Sequence, residues 1–84
     1  MTYQDALDYL RIAENAYNVQ AYSESAEIVE KLAYFAVDIE NGLSSQQRVE
    51  IIEAVKRAIG RFTFCPDEYI GEKTCGLIDL FDNK

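Results

Sequence analysis

An all-α fold is what this chain predicts: three antiparallel helices followed by a short C-terminal helix or ordered tail, in one domain spanning residues 1–84. Three observations lead there. Apolar residues recur at three- and four-residue steps over three long stretches, so each stretch gathers them on one helical face. Two of the stretches open with side chains spaced to cap a helix. No clean apolar/polar alternation lasts beyond Arg61-Phe62-Thr63-Phe64, which leaves strands without support.

The first helix is expected from about Tyr3 to Asn18. Thr2 stands where its hydroxyl can take up a first-turn amide, with Asp5 three residues on in the position a capping box usually gives to Glu or Gln. Tyr3, Ala6, Leu7, Leu10, Ala13 and Tyr17 form its apolar face. The second is expected from Ser23, as cap, to Glu40, with Ile28, Leu32, Phe35 and Ile39 as its main stripe and Val29 and Ala36 widening it. Asn41-Gly42 supplies residues tolerant of positive φ, a common way for a helix to stop. Ser44-Ser45-Gln46-Gln47 fits a capping box for the third helix, which continues to about Arg61 and buries Val49, Ile52, Val55, Ile59 and Phe62. Glu27/Lys31 and Glu53/Arg57 have the i,i+4 spacing of surface ion pairs.

Beyond Phe64 the pattern is weaker. Pro66 excludes the helical conformation from Cys65. Asp67 to Ile70 reads as a single turn before Gly71. Thr74 reads as the cap of a final short helix that packs Leu77, Ile78 and Phe81 inward.

Composition narrows function more than any motif does. The chain has no histidine, and 15 acidic residues stand against 8 basic ones, for a net charge of −7. Without histidine the usual general base near neutral pH is missing, and no set of residues fulfils the geometry of a nucleophile with its base. The expectation is therefore a protein that is not an enzyme and that needs no cofactor. Two cysteines without histidine fall short of a structural zinc site. The acidic run Asp38-Ile39-Glu40-Asn41-Gly42 misplaces its glycine for a calcium loop, so no metal is expected either. Cys65 and Cys75 read as ordinary reduced thiols.

The charge is unevenly distributed. Residues 1–40 hold eight acids and two bases, whereas residues 41–84 hold seven acids and six bases. An acidic front half repels nucleic acid and anionic lipid and steers a basic partner inward. The N-terminal Met1-Thr2-Tyr3-Gln4-Asp5 lacks the basic start of a secretion signal, and no apolar run reaches the roughly 18 residues of a membrane span, so a cytoplasmic protein is expected. The leading expectation is a small acidic inhibitor or immunity-type protein that covers a basic surface of another protein. Its contact residues would be Asp5, Asp8, Glu24, Glu27 and Glu30, with Tyr9 and Tyr34 as aromatic anchors. Pairing with a second copy stays open.

Two other readings compete. Gly42-Leu43-Ser44 copies the turn of a helix-turn-helix, and Ser45, Gln46, Gln47 and Arg48 are residue types that read base edges. Against that, Asp38 and Arg48 occupy positions where the motif needs small or apolar residues. The segment Leu77-Ile78-Asp79-Leu80-Phe81 resembles the pentapeptide with which bacterial proteins dock into the replication sliding clamp, Gln-Leu-Ser/Asp-Leu-Phe, with Leu77 in place of the glutamine. That resemblance implies docking through Leu80 and Phe81 with Ile78 as a smaller anchor, in a bacterial or phage setting. The same three residues at helical spacing also read as core.

Overall fold

A computed structural model describes residues 1–82. Five helical segments make up the described chain: α1 (Tyr3–Asn18), α2 (Tyr22–Val37), α3 (Ser45–Phe62), α4 (Glu68–Gly76) and the single-turn α5 (Asp79–Asp82), with no strand among the described residues. Both anticipated capping boxes form. The Thr2 hydroxyl accepts from the Asp5 amide while the Asp5 carboxylate accepts from the Thr2 amide. Ser44 and Gln47 do the same at the start of α3. Each box satisfies two donors that a helix start leaves without an internal partner.

The register of the helices follows from named contacts. The buried Ser25 hydroxyl donates to the Ala13 carbonyl at 2.7 Å, and the Tyr17 and Tyr22 rings meet edge-on at 5.1 Å. Lys31 lies beside Asp5 and Asp8, so positions on α2 rise as those on α1 fall, and the two helices run in opposite directions. Tyr3 hydrogen-bonds Glu50, and Tyr17 donates to the Arg61 carbonyl at 2.8 Å, so α1 and α3 run the same way. α2 packs against α1, α3, α4 and α5 and is the centre of the molecule.

The core of α2 is rotated from the expected stripe. Ser25, Ala26, Val29, Leu32, Ala33 and Ala36 are buried, Ile28 and Phe35 are only partly so, and Ile39 is 86% exposed beyond the helix end. Ala6, Ala13 and Ala16 are the buried residues of α1. Alanine side chains therefore make up all of the buried part of α1 and half of that of α2, beside Val29, Leu32 and Ser25. A similar correction applies to α3, where Ile51, Val55, Ile59 and Phe62 are buried, Ile52 is half-buried and Val49 is 52% exposed.

Arg48 explains both the rotation of α3 and the early end of α2. Its guanidinium donates to the carbonyls of Ala36 and Asp38, each at 2.7 Å, and to the Asn41 side-chain oxygen at 3.0 Å. The Asn41 amide also donates to the Phe35 carbonyl. The last carbonyls of α2 are thus satisfied by side chains, and the helix stops at Val37 rather than Glu40. Asp38 turns the chain by accepting from the Glu40 amide, and Gly42 takes a φ of 79°, a conformation that favours glycine. At its other end α2 begins at Tyr22, capped by Ala21 with no side-chain bond. The Ala21 amide is already held by the Ala16 carbonyl, which draws the start ahead of Ser23.

The C-terminal expectation needs correction as well. Asp67 caps a nine-residue helix by accepting from the amides of Tyr69 and Ile70, and α4 continues through Gly71. A Cβ at Gly71 would meet the Phe62 carbonyl oxygen at 3.1 Å, so glycine is what lets α4 lie against the end of α3. Thr74 is inside the helix and fully buried, its hydroxyl donating to the Ile70 and Gly71 carbonyls, and caps nothing. Leu77 and Phe81 are buried and Ile78 partly so. Cys65 and Cys75 are free thiols.

Replacing Arg48 with alanine removes three charge-assisted bonds at once and is expected to cost about 2 kcal/mol, or roughly 10 °C in melting temperature for a chain of this size. Arg48→Lys keeps the charge but cannot fork between the carbonyls, and its melting temperature should fall between the two. Thermal unfolding followed by circular dichroism tests this; equal stability of Arg48→Ala and the parent would contradict it.

Candidate functional site: two faces of opposite charge beside α1

Asp5, Asp8 and Tyr9, three of the expected contact residues, come together. With Met1, Ile12 and Lys31 they line a shallow depression of about 610 Å³ beside the first turns of α1. Asp5 is committed to the capping box, and Asp8 accepts from the Gln4 side chain at 3.3 Å. Tyr9 is 40% exposed, and Met1 and Ile12 stand open beside it. The surface therefore combines two carboxylates with the apolar area of Tyr9, Ile12 and Met1, and Lys31 is a cation within it that the sequence reading did not assign to contact.

The four contact residues expected on α2 do not form one patch. Residues seven apart lie two turns apart on the same line of a helix, so Glu27 aligns with Tyr34, and Glu24 with Lys31. Glu24, Glu27 and Tyr34 are exposed, Tyr34 by 54%. Glu30 belongs to another side. It is half-buried and sits 3.1 Å from the Lys73 ammonium of α4, an ion pair between helices rather than a free carboxylate. The hydrogen bond to Glu30, and after it the charge of the same carboxylate, holds the Lys73 ammonium above its usual pKa. Glu30 thus ties α4 to α2 and is set apart from the Asp5–Asp8–Tyr9 surface.

Among the described residues two ion pairs form, Lys73–Glu30 and Arg61–Glu14 at 3.3 Å, so Glu27/Lys31 and Glu53/Arg57 stay open despite their spacing. Arg61 and Glu14 belong to a second concavity, an open groove of about 580 Å³ between α1 and α3 that also carries Arg11 and Arg57. The sequence reading missed this groove. Its signal was the i,i+4 pair Arg57/Arg61 on the side of α3 that turns toward α1, a side that becomes identifiable only once the direction of Ile51, Val55 and Ile59 is known.

The residues of the two competing readings are placed as follows. Gly42-Leu43-Ser44 forms the connection between α2 and α3, and Arg48 is held by the end of α2, so it reaches outward only by releasing three bonds. Of the clamp-like segment, Phe81 is buried with Lys56 over its ring at 5.9 Å, while Ile78 and Leu80 are half-buried against the core. Docking through Leu80 and Phe81 requires α5 to leave that position.

Among the described residues no group of three or more His, Cys, Asp or Glu side chains could hold a metal ion, and no helix is long and apolar enough to cross a membrane. No protein-family model matches the chain, and neither the curated proteins nor the solved structures hold a significant match to it.

The Tyr3–Glu50 bond gives this region a pH signature. The hydrogen bond to the Glu50 carboxylate, with a smaller contribution from burial, raises the Tyr3 phenol above its ordinary value of 10.0. A group whose folded pKa is raised contributes stability that is complete below the unfolded value and is lost as pH rises through the folded one. The difference in melting temperature between the parent and Tyr3→Phe should therefore be constant from neutral pH to about 9 and should shrink above about 10. A difference that grows in that alkaline range would contradict the assignment.

Proposed function

We propose that the protein is a non-enzymatic inhibitor or immunity-type protein that covers a basic surface of another protein through the exposed side of α1 and α2. The scaffold for this reading is a three-helix antiparallel arrangement with α4 packed against α2 and α3 and α5 against α2. The observation that carries it is the surface around Tyr9. Asp5 and Asp8 line the same depression as an exposed tyrosine, with Ile12 and Met1 adding apolar area. Aromatic anchors with a charged periphery are the usual make-up of a compact protein-binding surface. Glu24 and Glu27 extend the negative field along α2, with Tyr34 as a second anchor. Glu30 does not take part, because Lys73 holds it.

The partner surface would be one that normally meets an anion, such as the nucleic-acid groove of a nuclease or a DNA-processing factor. Carboxylates on a rigid helix pair compete there for the same lysines and arginines, and the bulk of the chain blocks access. The mechanism is occlusion, with the net charge of −7 speeding encounter.

Photo-crosslinking from a benzophenone side chain at position 9, in the cells that make the protein, identifies the partner. Association of the two purified proteins should then slow about tenfold between roughly 50 mM and roughly 500 mM salt. Asp8→Asn with Glu27→Gln should reduce the association rate, and Tyr9→Ala should mainly speed dissociation. An association rate that does not respond to salt would remove the acidic surface from recognition.

A further inference from the structure

The α1/α3 groove inverts the charge of the chain. Three of the eight cationic residues line it, Arg11, Arg57 and Arg61, against one of the fifteen acids, Glu14. Glu14 takes only Arg61, so Arg11 and Arg57 have no ion-pair partner among the described residues. The floor between them is apolar and includes Leu7, Leu10 and Ala58.

The groove lies between two sets of ties that join α1 to α3, and the second set includes the Glu14–Arg61 ion pair. Tyr3 with Glu50 joins one end, and Tyr17 with the Arg61 carbonyl joins the other. Between these ties the facing side chains of α3 are Ala54 and Ala58, too short to fill the space that Leu7 and Leu10 border. The opening runs from Leu7 to Tyr17, about 15 Å along the helix axis or nearly three turns.

We infer that this groove binds an acidic amphipathic helix of a partner protein. Its length suits about three helical turns, its floor takes apolar side chains at i, i+3, i+4 and i+7, and its arginine rim pairs with carboxylates on the flanks of such a helix. The added helix completes a four-helix arrangement over a seam that α1 and α3 leave open. Charge complementarity selects this occupant. A basic or neutral helix finds no counter-ions at Arg11 and Arg57, whereas arginine forks suit carboxylates in a bidentate geometry. The site is separate from the Tyr9 surface and uses the opposite sign of charge, so either can fail without the other.

The test is a selection of phage-displayed helical peptides, about 16 residues long, on the immobilised full chain, followed by anisotropy titrations of the recovered peptides. The expected sequences carry net negative charge and apolar residues at three- and four-residue steps. Their affinity should fall about tenfold or more with Arg57→Glu, fall with Arg11→Glu, and stay unchanged with Glu40→Gln, an exposed acid outside both surfaces. Arg57 is exposed, so its variant should keep the parent's circular dichroism and melting temperature, which separates loss of the site from loss of the fold. Recovery of no acidic sequence, or of acidic sequences that bind Arg57→Glu as well as the parent, overturns the inference. So does concentration-dependent self-association abolished by Arg57→Glu, because the occupant would then be a second copy.

Discussion

The carbonyl oxygens at the end of α2 must find donors where the chain turns away from the helix, and Arg48 reaches back from α3 to two of them. Its bonds to Ala36 and Asp38 fix three things together: where α2 ends, how α3 is rotated, and how the Asn41-Gly42 turn is held. Because α2 is the helix every other helix touches, the placement of its C-terminal end governs the rest. A charged side chain can do this because helix C-termini carry partial negative charge and unpaired acceptors. The guanidinium suits it better than an ammonium, since a planar fork can serve several acceptors at once.

From that fixed centre the two sides of α1 acquire different characters. Toward α2 the buried residues of α1 are alanines, Ser25 bonds the Ala13 carbonyl, and Asp5, Asp8, Tyr9 and Lys31 share one surface. Toward α3 the helices are joined by Tyr3 with Glu50 and by Tyr17 and Glu14 with Arg61, and arginines of both helices border the groove between. A chain with a net charge of −7 thus presents a carboxylate-bearing surface with an aromatic centre on one side and a cationic groove on the other. The two proposed sites thus differ in sign, and each suits a partner of the opposite charge.

What the sequence made legible was local. The capping boxes at Thr2/Asp5 and Ser44/Gln47 could be read because they depend on residues three apart, and they set the starts of α1 and α3 correctly. The end of α2 could not be read, because its stop signal is Arg48, ten residues beyond Asp38. Hydrophobicity also misled as to which residues are buried. Ile39 and Val49 are more apolar than Ala33 and Ala36, yet close packing buried the alanines and left the larger residues exposed. Gly71 and Thr74 read as breaker and cap, since nothing local reveals that α4 must press on the Phe62 carbonyl. At the surface, Asp5, Asp8 and Tyr9 could be grouped from one helix alone. The Glu30–Lys73 ion pair and the arginine groove depend on which helices become neighbours, so composition showed neither.

The sorting of charge across α1 is most directly tested by nuclear magnetic resonance on the isotopically labelled chain, titrated separately with arginine and glutamate homopeptides of about ten residues. The arginine peptide is expected to shift the amide signals around Asp8, Ile12 and Lys31, and the glutamate peptide those around Arg11, Arg57 and Arg61. If both peptides perturb the same residues, or if neither perturbation centres on α1, the account of two opposed surfaces is wrong.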